Sequence, residues 1–266
     1  MVSTSTLPFD DLVNWNYVIH SLLFSLFFFA LDKLSPMITT MFGYGKTYEH
    51  LDAKQKIMWD QRLVSMVHAL IATPVCAYIF YDSIGKDPIY YYTDLMYRQF
   101  VVTGGYFFWD LKVSLTRPDI VGTAMVFHAI LGVVAMQYVN LKHGGHVYAC
   151  FTAKALLYEA STIPLNIKGF IQAVNPKSKY YEGSLLAFAI SFIFVRCIWG
   201  IPLTLALLYH VSSHIHLYPV DKSFILVGEG VATMALNTWW GSMLLKKTLI
   251  RMFGSKGDRE KLLKNL

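Results

Sequence analysis

Charge is scarce in this sequence. Asp, Glu, Lys and Arg supply 15% of the 266 residues, hydrophobic residues supply 55%, and the mean hydropathy is +0.43. Ordinary soluble domains carry about 25% charged residues, so the shortage argues for a chain solvated by lipid. Windows that alternate apolar and polar residues are absent, which excludes the strands of a membrane barrel. Cysteine is limited to Cys76, Cys150 and Cys197. They fall in separate apolar segments, where a thiol behaves as a small hydrophobe, so neither a disulfide nor a metal site is read from them. The opening MVSTSTLPFDDL lacks the basic stretch and short apolar core of a cleavable signal. The first apolar segment is therefore expected to stay as an anchor. Internal repeats are missing, which weighs against a transporter built from related halves. Receptor signatures are missing too: the third apolar segment closes on WDLKVS and the seventh holds no proline.

What the chain does have is apolar runs near residues 13–31, 62–81, 97–115, 120–141, 147–165, 184–210 and 224–246. Hydrocarbon about 30 Å thick is crossed by ~20 helical residues that pair their own backbone amides. The runs predict an all-α, multi-pass membrane protein with about seven transmembrane helices. Basic residues are sorted by side. Lys33, Lys46, Lys54, Lys56, Arg62, Arg117, Lys168, Lys177 and Lys179 lie in or beside the loops after the first, third and fifth runs, and the tail after Lys246 is basic. Only Lys86, Arg98, Lys142 and Lys222 lie on the other side. The positive-inside rule then predicts a cytosolic C-terminus and a lumenal or outer N-terminus. The net charge of +6 is accounted for by loops and a tail lying against anionic headgroups. Nucleic acid is not an expected partner, since no binding fold or aromatic motif accompanies these cations.

Ionisable groups inside spanning helices are costly and usually face the bundle interior. Counted from the basic end at 1.5 Å per residue, Asp110, His68 and Glu159 lie roughly 7 to 9 Å deep, and His128 and Asn237 roughly 12 to 13 Å. Arg196 lies near the midplane, at about 18 Å. These groups come from six runs yet share one half of the bilayer, which predicts a polar cavity open to the cytosol. Spacing of three or four residues adds to the pattern: Glu229, Thr233, Asn237 and Gly241 form a stripe, Tyr106 shares a face with Asp110, and Arg62, Ser65 and His68 run inward from the interface. Blander readings stand beside these. His68 is a helix-packing hydrogen-bonder, Arg62 an interfacial snorkeller, and Asp110 with Arg196 a buried ion pair holding the bundle. His210, His214 and His216 have no accompanying carboxylate or cysteine, so zinc is not expected there.

The runs WDQRLVSMVHAL, GYFFWDLKVS, MVFHAILG, LLYEASTIPLN and FVRCIWG, in this order on successive segments, resemble the TLC domain. That membrane domain is shared by ceramide synthases, translocation-associated membrane proteins and small TLC domain-containing proteins. The resemblance covers about residues 55–250. It carries the family pattern onto Arg62, His68, Gly105, Tyr106, Asp110, His128, Glu159, Ser161 and Arg196. It implies six helices forming a barrel around a central cavity, preceded here by one extra helix. The expected organisation is 1–54 for the lumenal N-terminus, first helix and cytosolic loop, 55–250 for the TLC domain, and 251–266 for a basic cytosolic tail. Ceramide synthases have paired histidines where this chain has Phe127 beside His128, and paired aspartates where Glu159 stands alone. The chain therefore looks closer to the small TLC domain-containing proteins.

Two functions follow from the resemblance and the polar residues. In one, the cavity binds, senses or traffics a membrane lipid in lipid homeostasis, with Arg196, His68, Asn237, Tyr106 and Arg62 contacting it. In the other, the chain is an acyltransferase taking acyl-CoA as co-substrate, with His128 as base or nucleophile and Asp110 and Glu159 orienting it. No other cofactor is expected. Membrane lipids are the expected partners, the family implies the endoplasmic reticulum, and a homo-oligomer is compatible with the sequence.

Overall fold

The computed structural model describes residues 14–138, 147–215, 220–255 and 257. Expectations resting on the first 13 residues, on Lys142, His143, His146 and His216, and on Lys256, Arg259, Lys261 and Lys264 lie outside the described residues. Among the described residues there are helices and turns and no strand. In chain order they are α1 (Trp15–Met41), the short α2 (Gly45–His50), α3 (Ala53–Asp82), α4 (Asp94–Thr116), the single turn α5 (Pro118–Val121) and α6 (Thr123–Val133), prolonged by a π turn (Val134–Tyr138). Then α7 (Ala149–Ala155) passes through a 3₁₀ segment (Leu156–Ser161) into α8 (Thr162–Val174). Next α9 (Lys179–Phe192) passes through a π segment (Ile193–Ile198) into α10 (Gly200–Ser213), and α11 (Val220–Phe253) follows.

The described part of each apolar run falls on one of these rods. Trp15–Met41, Ala53–Asp82 and the continuous Lys179–Ser213 are long and apolar enough to cross a membrane, with mean hydropathies of 1.5, 1.9 and 2.0 in their best windows. Thr123–Gln137 is a shorter apolar helix. Asp110 and Lys112 dilute the apolar character of α4, and Glu229 and Asn237 that of α11. Apolar side chains such as Leu23, Leu26, Phe127, Phe194 and Ile198 point outward from the bundle. An exposed apolar surface of this extent is what hydrocarbon would cover.

Polar residues start the rods where the apolar runs begin. Asn14 accepts from the Tyr17 amide at 3.1 Å, and Thr93 from the Met96 amide at 3.3 Å. Asp52 and Gln55 form a reciprocal capping box at the start of α3, with bonds of 2.8 and 3.0 Å; such pairs satisfy helix amides that have no partner of their own. Successive rods alternate in direction. At one end Arg251 of α11 meets Glu182 of α9 at 3.3 Å, and Tyr48 of α2 donates to Asp60 of α3 at 3.0 Å. At the other end His20 of α1 meets Tyr97 of α4 at 3.0 Å, and the Tyr148 amide donates to the Ile89 carbonyl at 2.8 Å. The first of these, carrying Lys33, Arg117, Lys168 and Lys247, is the basic end.

The first helix is packed into the bundle, which exceeds the role of an anchor. It runs along α4 so closely that a Cβ on Gly105 would lie 2.6 Å from the Phe24 Cβ and 2.7 Å from the Ser25 amide. Only a residue without a side chain permits that approach. The Tyr17 hydroxyl, 1% exposed, donates toward the carbonyls of Phe100 at 3.1 Å and Met136 at 2.6 Å, tying α1 to α4 and α6. Phe28 reaches the Tyr106 ring, with centroids 5.6 Å apart, so α1 covers the layer behind the site.

Candidate functional site

Two irregular segments place the principal charges. Glu159 lies in the 3₁₀ segment and Arg196 in the π segment. Each segment is followed by a proline near the start of the next helix, Pro164 in α8 and Pro202 in α10. Proline has no amide to donate to the carbonyl four residues back, so the regular α ladder is interrupted at Ala160 and Ile198. The chain re-registers through tighter or wider turns, and the Trp199 amide accordingly donates to Phe194 five residues back at 2.9 Å. This re-registration turns Glu159 and Arg196 inward, where they are 6% and 8% exposed.

Around Glu159 the polar side chains form a chain across five rods. Gln99 Nε2 donates to Thr103 Oγ1 at 2.9 Å, and Thr103 Oγ1 lies 3.2 Å from His68 Nε2. His68 Nδ1 faces Glu159 Oε2 at 3.8 Å. With the proton on Nδ1, the threonine hydroxyl donates to Nε2 and Nδ1–H is aimed at the carboxylate. On the other side of Glu159, Arg196 NH2 stands 3.9 Å from Oε1. Arg196 Nε donates to Ser161 Oγ at 3.0 Å and NH1 to Asn237 Oδ1 at 3.5 Å. Tyr158 and Phe192 flank the guanidinium at 5.8 and 5.3 Å, compatible with cation–π attraction in a site away from water. Glu159 thus lies between the Nδ1–H of a neutral His68 and the Arg196 guanidinium, at 3.8 and 3.9 Å, with the guanidinium as its compensating charge.

Two cavities meet at these groups. An outer one of about 140 Å³ runs toward the end of α11 that carries Glu229, with Leu203, Leu207 and Leu226 among its walls. An inner one of about 290 Å³ runs toward the basic end, where it reaches Lys247. His128, Glu159, Arg196 and Trp240 line both. The His128 ring stands between Phe107 at 5.7 Å and Trp240 at 5.9 Å, and among the described residues its nitrogens have no hydrogen-bond partner. A neutral imidazole carries one donor and one acceptor, so both face whatever fills the cavities. Glu229, Leu236, Trp240, Met243 and Lys247 recur at helical spacing along one face of α11. From Glu229 to Lys247 this lined face is about 27 Å long at 1.5 Å per residue.

The structure thus brings together Arg196, Glu159, His128 and Asn237, and adds Tyr106, which lines the inner cavity. His68 is fully buried behind Glu159 and touches neither cavity. Arg62 lies apart, packed over α8 where a Cβ on Gly169 would fall 2.1 Å from its Nε. Asp110 lines neither cavity, and its Oδ2 is buried without a hydrogen-bond partner. The buried cation Arg196 faces Glu159, so the expected Asp110–Arg196 pair does not form. Two cavities stand where one was expected, and His128, Glu159, Arg196 and Trp240 form the wall they share. Sequence reasoning missed Trp240 and Gln99, whose residue types are unremarkable on apolar helices, and it passed over Pro164 and Pro202, which mark the irregular segments.

Comparison with known proteins identifies related sequences. Residues 58–246 match the TLC domain. The chain is 40% identical over 247 residues to TLC domain-containing protein 4 C of Dictyostelium discoideum, covering 91% of this chain and 90% of that one. It is 30% identical over 245 residues to Topoisomerase I damage affected protein 4 of Saccharomyces cerevisiae, covering 86% and 83%. It is 32% identical over 180 residues to TLC domain-containing protein 4-B of Danio rerio, covering 65% and 64%. With 189 consecutive residues matched and relatives named for the small TLC proteins, the chain belongs to the TLC domain family.

Proposed function

We propose that this protein is a multi-pass membrane protein of lipid homeostasis that holds a membrane lipid in the paired cavities, to bind, sense or traffic it. All seven rods cross the bilayer, and the six after α1 form a barrel around the cavities. The basic end faces the cytosol, the N-terminus the lumen, and the membrane is that of the endoplasmic reticulum. The observation that carries this reading is the length of the lined face of α11, about 27 Å against hydrocarbon of about 30 Å. A lipid with its chain in the outer cavity sets its polar end against Arg196 and Glu159, where a carboxylate and a guanidinium await it. Native mass spectrometry of the purified protein is the test. Wild type retains a lipid that Arg196→Gln loses; a protein that carries no lipid, or a variant that retains it equally, rules the reading out.

His128 supports a second reading, that of an acyl-CoA-dependent acyltransferase. Its ring lies on the shared wall with both nitrogens uncommitted, as a base or nucleophile requires. Acyl-CoA would enter from the basic end, and an acceptor hydroxyl or amine would lose its proton to the imidazole. The acyl carbon then bonds to the acceptor and CoA leaves as thiol. Assays with a panel of acyl-CoAs and lysolipids or sphingoid bases decide it. Turnover abolished by His128→Ala supports catalysis, and no turnover in any pairing leaves the binding reading alone.

A further inference from the structure

Away from the central cavities, a separate cavity of about 320 Å³ opens at the basic end between α1, α3 and α4. Asp32 and Lys33 come from α1, Asp60 from α3, and Lys112 and Arg117 from α4 and its C-terminus. Among the described residues no ion pair joins any of these cations to either carboxylate, although all five line one space. Lys112 Nζ instead sits over the Phe29 ring at 5.5 Å. Asp60 Oδ2 accepts from Tyr48 at 3.0 Å, and the Ser35 hydroxyl faces the same carboxylate.

We infer that this cavity binds a zwitterionic phosphate–ammonium group, the headgroup of a phospholipid in the leaflet at the basic end. Charge complementarity selects that class. Three cations repel a metal ion, and two carboxylates penalise a plain anion, whereas a phosphate among Lys33, Lys112 and Arg117 with an ammonium on Asp60 and Asp32 satisfies both signs. Depth agrees. The apolar run of α1 ends at Leu31, that of α4 ends at Leu115, and that of α3 begins at Arg62, so the five residues sit where the helices leave hydrocarbon for headgroups. The site exists only because α1 is docked on α4, which gives the helix added to the six a ligand-binding role. The inference rests on the membrane placement proposed above and not on any lipid in the central cavities.

The test is add-back of lipids to the delipidated full chain, read by native mass spectrometry. Phosphatidylethanolamine is expected to bind at least tenfold tighter than phosphatidylglycerol, which has the phosphate without the ammonium, and than diacylglycerol, which has neither. Lys112→Gln with Arg117→Gln weakens both phospholipids about tenfold. Asp60→Asn weakens phosphatidylethanolamine alone and erases the preference. Arg196→Gln, expected above to empty the central cavities, leaves the preference intact, so this site and the central one fail or stand separately. Soluble phosphoethanolamine separates the sources of the ligand: failure to displace the lipid confirms a membrane headgroup, and full displacement at equal concentration assigns a soluble zwitterion and overturns the lipid. Equal binding of the two phospholipids to wild type also overturns the proposal, and that measurement needs no variant.

Discussion

The imidazole of His68 lies flat on the phenol ring of Tyr106, with centroids 4.0 Å apart and planes within 1° of parallel. The stack fixes the ring in the orientation that presents Nε2 to Thr103 and Nδ1 to Glu159. His68 therefore acts as a positioning residue, holding the carboxylate on the shared wall without entering either cavity. Replacing it with Ala opens a void behind Glu159 and leaves Thr103 a hydrogen bond short. The two losses together cost about 2–4 kcal/mol. Thermal unfolding of the purified variant should show the corresponding fall in Tm, and an unchanged Tm would remove the structural role.

Glu159 and Arg196 are coupled across the same wall. Removing one partner of a buried pair leaves an uncompensated charge and costs about 3–5 kcal/mol, whereas replacing both with apolar residues is often far less harmful. Arg196→Met should therefore destabilise strongly, and Glu159→Met with Arg196→Met should recover much of the loss. Arg196→Lys is not a conservative change, because one ammonium cannot reach Ser161, Asn237 and Glu159 as the guanidinium fork does. Unfolding curves of the single and double variants close the cycle. A double variant as unstable as the sum of the singles would show that the two residues are not coupled.

Much of this arrangement is legible in the sequence, for identifiable reasons. Apolar run length finds the rods because hydrocarbon leaves the backbone no other partner. The order of Arg62, His68, Tyr106, Asp110, His128, Glu159 and Arg196 along the runs carries the family. Which of these residues meet is not legible. Depth along a helix is readable, but azimuth depends on the extra and missing backbone units at Leu156–Ser161 and Ile193–Ile198, which rotate everything after them. On regular helices Asp110 looks as good a partner for Arg196 as Glu159 does. Small residues carry the same lesson: the approach of α1 at Gly105 has no polar signature, so the first helix reads as an addition and not as part of the core.

Outside the rods, the Tyr48 hydroxyl of α2 has its pKa pushed up to about 12, first by burial and then by the Asp60 carboxylate it donates to. The folded chain thus holds this proton more tightly than the unfolded chain, whose phenol titrates near 10. The resulting stabilisation is complete below about pH 10 and disappears as pH rises through about 12. Tyr48→Phe has no such proton to lose, so its stability should fall less steeply than that of wild type across this interval. Thermal unfolding in a series of alkaline buffers measures the difference. Parallel curves would show that the Tyr48–Asp60 bond contributes nothing to the docking of α2.

The Trp240 ring lies on the wall that the two cavities share, edge-on to His128 with centroids 5.9 Å apart. Truncation to alanine would remove the largest side chain common to both cavities and merge them into one. The cost in stability is expected at the lower end of the about 3–5 kcal/mol seen for buried aromatic truncations, because the ring already borders open space on two sides. The effect on a ligand is the more telling result. If one lipid threads both cavities, the merged space should shift the retained species toward longer or bulkier chains, without loss of the headgroup selectivity that Arg196 and Glu159 impose. The masses of lipids co-purified with wild type and Trp240→Ala report this directly. An unchanged distribution would mean that the cavities are filled separately, with His128 and Trp240 forming a wall between two ligands and not a waist around one.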